Sequence, residues 1–395
     1  MELSTDRKAH VWDPDVAIRR ASVPTNEARQ AADDLFVALG GDDAAAVVLF
    51  IPPTVEREPL RAALNGRFGG IPLVGCTTAG EIGPLGVSAD EIVGFALPAS
   101  HFKVAIGRLS NLAHFALADG LAMTAELTRQ LHAQGVEATA SDAFAMLLVD
   151  GLSAREELIA SAIDGALGGI PLFGGSAGDG LRFGATAVLG MGEFAPDSAV
   201  VMLVHTSLPF RVFKSQHVVG TDRRLVVSAA DPQARVVLEL DGEPAAQAYA
   251  RAVGVAADDL TPEVFAAHPV VVRAGGSTYV RSIQRRNDDD SLTFFCAVDE
   301  GLVLRLAEGG DLVGTLRTTL EDLRRELGPL RLVVGCDCIL RRLEAARLDL
   351  TGQLGQLFIE NEVVGFGTYG EQYRGMHVNQ TFTGVAIGSA RREAA

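Results

Sequence analysis

Cysteine is scarce in this 395-residue chain. Cys76, Cys296, Cys336 and Cys338 are the full set, too few for a disulfide framework in a chain of this length. Tryptophan occurs once, at Trp12. Basic residues are outnumbered, 34 Lys and Arg against 50 Asp and Glu, which leaves a formal net charge of −16. Sequence-independent nucleic-acid binding relies on Lys and Arg neutralising phosphates, so that partner is not expected. The same shortage argues against an anionic membrane surface. No apolar run approaches the ~18 to 20 residues of a membrane span. The first residues, MELSTDRKAHVWDPD, carry acids where a secretory signal has an apolar core. GxxxxGK[ST], HExxH and CxxCH are missing too, which removes a P-loop, a zincin site and an attached c-type haem. A cytoplasmic protein with reduced thiols is the expectation.

What the chain does have is a soluble protein's composition, 48% hydrophobic and 21% charged, over a length that suggests two lobes. It also has a unit written three times. AAAVVLFIPP (44–53) is an apolar strand, VEREPLRAALNGRFGG has helical spacing, and IPLVGCTTAGE ends in a second strand and a glycine-rich turn. The order returns with AFAMLLVDG (143–151) and closes on IPLFGGSAGDG (170–180), then again with RLVVGCDC (331–338) and VVGFGTYGEQ (363–372). Strand, helix, strand over some 40 residues is the βαβ signature. Short strand-like runs between the copies suggest antiparallel additions. The reading is an α/β protein of two lobes, built from repeated βαβ units and divided near 206–222. Residues 1–29 form an extension, 30–206 a first domain and 207–395 a second. EPAAQAYARAVGV reads as a helix of the second lobe. DLVGTLRTTLEDLRREL (311–327) is amphipathic, with Leu312, Leu316, Leu320, Leu323 and Leu327 on one face.

Open α/β sheets bind ligands beyond the carboxyl ends of their strands, where these turns lie. Cys76, Thr77, Glu81, Ser176, Asp179, Thr368 and Glu371 are therefore candidate ligand contacts, with the three acids suited to an amine. Tight turns whose acids cap exposed N–H groups would look the same. Gly174–Gly178 matches G-x-S-x-G, but a hydrolase elbow needs a helix after Ser176, and a strand-like run follows. No enzyme is expected. Cys336 and Cys338, just past a buried strand, form a C-x-C pair open to metal or redox chemistry, though core thiols fit as well. PFRVFKSQHVVG (209–220) alternates like a strand, putting Arg211, Phe213, Ser215, His217 and Val219 on one face. Such an imidazole suits a proximal haem ligand or a satisfied core histidine. Arg211 and Lys214 are near enough in sequence to meet propionates, and His268 and His377 are rival ligands.

VVGCTTAGEI, PLFGGSAGDG, DGEPAAQAYARAVG and VVGFGTYGEQYRGMHVNQTFTGVAIG together resemble FIST sensory proteins, an N-terminal FIST domain followed by its C-terminal companion, over roughly residues 30 to 390. The resemblance implies a bacterial signalling module that binds small ligands such as amino acids. SLPFRVFKSQHVVGTDRRLVVS, FAAHPVVVR and LVVGCDCILRRLE are similar to the haem-containing, nitric-oxide-sensing branch, NosP. That branch implies haem b on a histidine, nitric oxide as ligand, and control of a separate histidine kinase or cyclic-di-GMP enzyme. It does not say which histidine. A haem-free small-ligand sensor and a thiol-based redox or metal sensor are the alternatives. A homodimer is compatible with the sequence.

Overall fold

Each of the three glycine-rich turns hands the chain to a different sheet. The computed structural model describes residues 18–25, 27–274 and 277–389; His10, Trp12 and most of the N-terminal extension lie outside them. The first unit runs through Arg20–Pro24, a helix at Ala28–Leu39, Ala44–Ile51, a helix at Arg57–Phe68 and Leu73–Thr77. A hairpin of Glu81–Gly83 and Gly86–Ser88 follows, then strand Glu91–Pro98. The second unit repeats that order from Phe102–Ser110 to Ser198–Thr206, with its hairpin at Val188–Gly190 and Glu193–Ala195. The third begins at Phe210–Ser215, is interrupted, and resumes with helix Leu312–Leu327. It ends with Leu330–Cys338, two helices at Ile339–Arg347 and Thr351–Glu360, Val363–Thr368, the hairpin Glu371–Tyr373 and Met376–Val378, and Phe382–Gly388.

The strands flanking the second helical stretch of each unit pair in parallel, Val47 beside Leu73, Ala145 beside Leu172 and Val333 beside Val363. That is the geometry a βαβ crossover imposes. The hairpins, in contrast, leave home. The first unit's hairpin pairs with Val363–Thr368 of the third, the second's with Leu73–Thr77 of the first, and the third's with Leu172–Ser176 of the second. This cyclic exchange ties three six-stranded sheets of identical strand order into one ring.

All three sheets turn one face to a shared core, where Phe50 stacks on Phe366 at 4.6 Å and Phe144 meets Phe173 at 6.0 Å. Helices cover the outer faces. Burial on both faces is why the central strands read as unbroken apolar runs. The five leucines of Leu312–Leu327 are all buried, and Asp311 caps that helix by accepting from the Gly314 N–H at 2.8 Å.

The interruption in the third unit is a lobe of its own, residues 218–309, with helices Ala245–Val253 and Pro262–Ala267 and a separate core around Tyr249, Phe265 and Phe294. The third repeat thus packs with the first two, and the lobe is inserted into it. Two local expectations change. The alternating run at 209–220 is broken at Gln216 and His217, so His217 leaves the strand face that carries Phe213 and Ser215. Cys336 and Cys338 lie within a strand rather than past it.

Candidate functional site

The three turns are knotted backbone to backbone at one junction. The Ala79 N–H donates to Gly367 O at 2.8 Å and the Gly367 N–H to Gly80 O at 2.6 Å. The Gly178 N–H donates to Thr77 O, and the Ser176 N–H to Gly370 O, each at 2.9 Å. Small residues are required because a guanidinium passes over the contact. A Cβ on Gly80, whose φ is +110°, would overlap Arg342, and one on Gly367 would lie 2.8 Å from Arg342 Nη1. Arg342 Nη1 itself donates to Ala79 O at 2.8 Å.

Cys76, Thr77, Glu81, Ser176, Asp179, Thr368 and Glu371 are all buried at this junction. Their roles divide. Thr77 Oγ1 accepts from the Ala187 N–H at 3.1 Å, and Thr368 Oγ1 donates to Gly370 O at 2.6 Å, so both hold turns together. Asp179 accepts from the Phe183, Gly184 and Ala185 amides, each at 2.8 Å, and from the Tyr369 hydroxyl. Burial pushes its pKa up, but the hydroxyl and the three amides outweigh that and hold it below the ordinary carboxylate range. It is a turn-capping acid with nothing left to offer a ligand. Replacing Asp179 with alanine orphans three amides and should cost about 2 to 4 kcal/mol of stability, read as a fall in the urea midpoint, with Asp179→Asn between. An unchanged midpoint would contradict that role.

Glu81 and Glu371 are different. The Thr78 hydroxyl donates to Glu81 Oε1, while Glu81 Oε2 is buried without a partner. Burial pushes Glu81 up to about 7. Glu371 Oε2 accepts from the Thr381 hydroxyl at 2.6 Å, Oε1 has no partner, and burial raises this carboxyl well above its usual range. Around this hairpin stand His377, already a candidate from the sequence, and side chains the sequence reading passed over, with Gln372 on the opposite face of the strand from Glu371. Gln372 Nε2 donates to Ser176 Oγ at 3.0 Å and lies 3.2 Å from His377 Nδ1. Gln372 Oε1, His377 Nε2, both polar atoms of the Asn379 amide, Gln380 Oε1, Thr383 Oγ1 and Arg341 Nη2 are buried and unpartnered. His377 Nε2 and Asn379 Nδ2 converge beside Gly370, 2.5 and 2.8 Å from where a Cβ would stand. The one sequence signal was the polar run His377-Val378-Asn379-Gln380-Thr381, which resembles a turn but lies in the interior. A 160 Å³ cavity adjoins the junction, lined by Asp337 and Arg342 among Ile82, Val87, Leu354 and Phe358.

Comparison with known families decides the relationship. The FIST N domain model matches residues 45–243 and the FIST C domain model residues 245–374. The chain belongs to the FIST family. FIST domains are signal-sensing modules that bind small ligands. No curated protein matches the chain. Among solved structures, a cyanuric acid hydrolase from A. caulinodans is similar over 95% of this chain and 99% of its own, with 10% identity and a TM-score of 0.38. At that distance the likeness carries no argument.

In this FIST protein the histidine and cysteine candidates are held in different ways. His217 has both ring nitrogens engaged, Nε2 with Glu344 Oε2 at 2.7 Å and Nδ1 with Arg341 Nη1 at 3.1 Å. Nδ1 accepts from Arg341 and Nε2 donates to Glu344, so no lone pair is open to iron and the residue does not fit a haem ligand. Arg211 is paired with Glu326 on the surface at 2.6 Å, and Lys214 lies 5.2 Å from the Tyr279 ring centroid. His268 caps the helix Pro262–Ala267, its carbonyl accepting from the Tyr249 hydroxyl at 2.6 Å. His377 alone of these three has a buried ring nitrogen without a partner, and burial keeps its pKa below the ordinary value. Cys76, Cys336 and Cys338 are buried thiols whose pKa burial drives well above normal, the reverse of what a metal-binding or reactive thiolate needs. Among the described residues no cluster of three or more His, Cys, Asp or Glu is placed to hold a metal ion. No helix of the described residues is long and apolar enough to cross a membrane. Ser176 is followed by an irregular turn, without the helix that a nucleophile elbow requires.

Proposed function

We propose that this FIST protein senses a small polar molecule held in the interior beside Glu371, between the ring and the inserted lobe. One observation carries the reading: the concentration of buried, unpartnered polar atoms on Glu371, Gln372, His377, Asn379, Gln380, Thr383 and Arg341. Each orphaned group costs roughly 1 to 3 kcal/mol, and native proteins pair nearly all of theirs. So many along one hairpin and the strand that follows it argue for an occupant that supplies the partners. The set mixes fixed donors (Arg341), fixed acceptors (the Gln372 and Gln380 oxygens) and an amide offering both. A molecule carrying an ammonium and a carboxylate, such as an amino acid, meets that mixture. A separate histidine kinase or cyclic-di-GMP enzyme would read the bound state.

A haem-bound, nitric-oxide-sensing form would rest on His377, the candidate whose Nε2 is unpartnered. Two titrations separate the readings. A thermal-shift screen of amino acids and small amines should give a saturable rise in melting temperature, lost in Asn379→Leu. Haemin should give no saturating Soret band. A one-to-one Soret band lost in His377→Ala, with no amino-acid response, would reverse the assignment.

A further inference from the structure

The side chain that fails as an iron ligand sits at one of the two covalent crossings between ring and lobe. The chain enters the lobe after Gln216-His217 and leaves it through Gly309-Gly310. These two crossings touch, because the Gly310 N–H donates to the His217 carbonyl at 2.9 Å and Val218 pairs with Gly309. The neck is narrow and built for glycine. A Cβ on Gly309 would overlap Glu344 Oε1, and one on Gly310 would lie 2.6 Å from the His217 carbonyl oxygen. His217 projects from this neck into the ring and is buried there. Both of its partners, Arg341 and Glu344, stand one turn apart on the third unit's helix Ile339–Arg347. Arg341 has only donors, so Nδ1 accepts and Nε2 is the nitrogen that donates to Glu344.

Arg341 is also a wall of the proposed ligand site. Its Nε donates to Asp337 Oδ1 at 2.7 Å, its Nη1 meets His217, and its Nη2 is buried with no partner while its charge acts on Glu371. One guanidinium thus faces the ligand site and the neck at once. Away from the neck the lobe is fastened separately, by Arg235 to Glu156 at 2.5 Å and by the Ala297 N–H to Glu157 at 2.6 Å.

We propose that His217 is the pin of a hinge at this neck, a positioning residue that fixes the lobe's posture on the ring, and that Arg341 couples that posture to occupancy beside Glu371. The coupling rests on the ligand reading above; the hinge does not. Any such coupling requires the ligand to bind the two postures unequally.

The test is a distance measurement between spin labels on the full chain. Val37→Cys lies on an exposed part of the ring and Leu238→Cys on an exposed lobe strand, and the four native cysteines are buried and will not label. With His217 intact, the ligand-free chain should give a single narrow distance. His217→Ala should broaden it at least twofold, and His217→Gln, which can still accept from Arg341 and donate to Glu344, should restore the narrow distribution. If His217→Ala does not fold, Gly310→Ala, which forces the two crossings apart, should broaden the distance in its place. An unchanged distribution in the folded variants overturns the hinge, whatever the ligand screen shows. An amino acid that raises the melting temperature should also shift the distance in the chain with His217, and not in His217→Ala. A melting shift without a distance shift overturns the coupling. A failed ligand screen removes the sensing reading and leaves the distance comparison valid.

Discussion

Replacing Glu81 with glutamine should stabilise the protein at pH 8 by about 3 kcal/mol and leave it unchanged below pH 4.5. The carboxyl rises from 4.5 to about 7 on folding because burial outweighs the Thr78 hydroxyl and the Arg342 charge. The folded state therefore binds the proton more tightly than the unfolded chain. Stability from this group is fully present below the unfolded value and is lost as pH climbs from 4.5 through 7. A displacement of that size corresponds to about 3 kcal/mol. Glutamine keeps an acceptor for Thr78 and never ionises, so the slope between pH 5 and 7 should flatten in the variant. Urea midpoints across that range check it. Parallel curves for Glu81→Gln and the parent chain would show that Glu81 ionises in the fold as it does in water.

Arg235→Ala should be the costliest single change at the boundary between lobe and ring, at about 3 to 5 kcal/mol. Arg235 is 7% exposed and reaches from the lobe to Glu156, itself 2% exposed, at 2.5 Å. It also donates to Phe295 O at 2.7 Å and pairs with Glu157. Truncation leaves Glu156 buried with its charge uncompensated, and that orphan, more than the lost pair, sets the penalty. Arg235→Met combined with Glu156→Gln should accordingly recover most of the loss. Urea unfolding of the single and double variants reads both. Equal destabilisation of the two would mean that the pair itself, and not the orphaned acid, carries the energy.

The contrast between these two acids and the turn that holds Glu81 shows what the sequence could and could not reveal. The three βαβ units were legible because Ala44–Ile51, Ala143–Val149 and Leu330–Cys338 are buried on both faces and so read as unbroken apolar runs. Their turns were legible because Gly80 and Gly367 must leave room for a guanidinium. The hairpin exchange was not. Glu81–Gly83, Val188–Gly190 and Glu371–Tyr373 are three residues each, too short for a period, and nothing local says which distant strand they join. The insertion of the lobe was hidden for a related reason. Its neck is His217 against Gly310, two residues far apart in sequence, and nothing local says that they meet. His217 was placed on a strand face because Arg211, Phe213 and Ser215 alternate up to it, and the break at Gln216 has no proline or glycine to announce it.

The ligand site itself was half visible. Glu371 and His377 stood out as an acid and a histidine, and the turns pointed to the right junction. Asn379, Gln380 and Thr383 did not stand out, because a polar run after a hairpin ordinarily marks a solvated turn. Only the fold shows that they are inside, with their polar atoms unmatched. Asp179 ran the other way: an acid chosen for a ligand that instead spends its oxygens on three amides and a tyrosine.

The most direct test of the account is a calorimetric titration of the full chain with the strongest amino-acid hit, repeated on Asn379→Leu. The account predicts one site per chain and at least a hundredfold loss of affinity in the variant, with folding intact. Saturable binding that Asn379→Leu leaves unchanged would place the ligand elsewhere and contradict it.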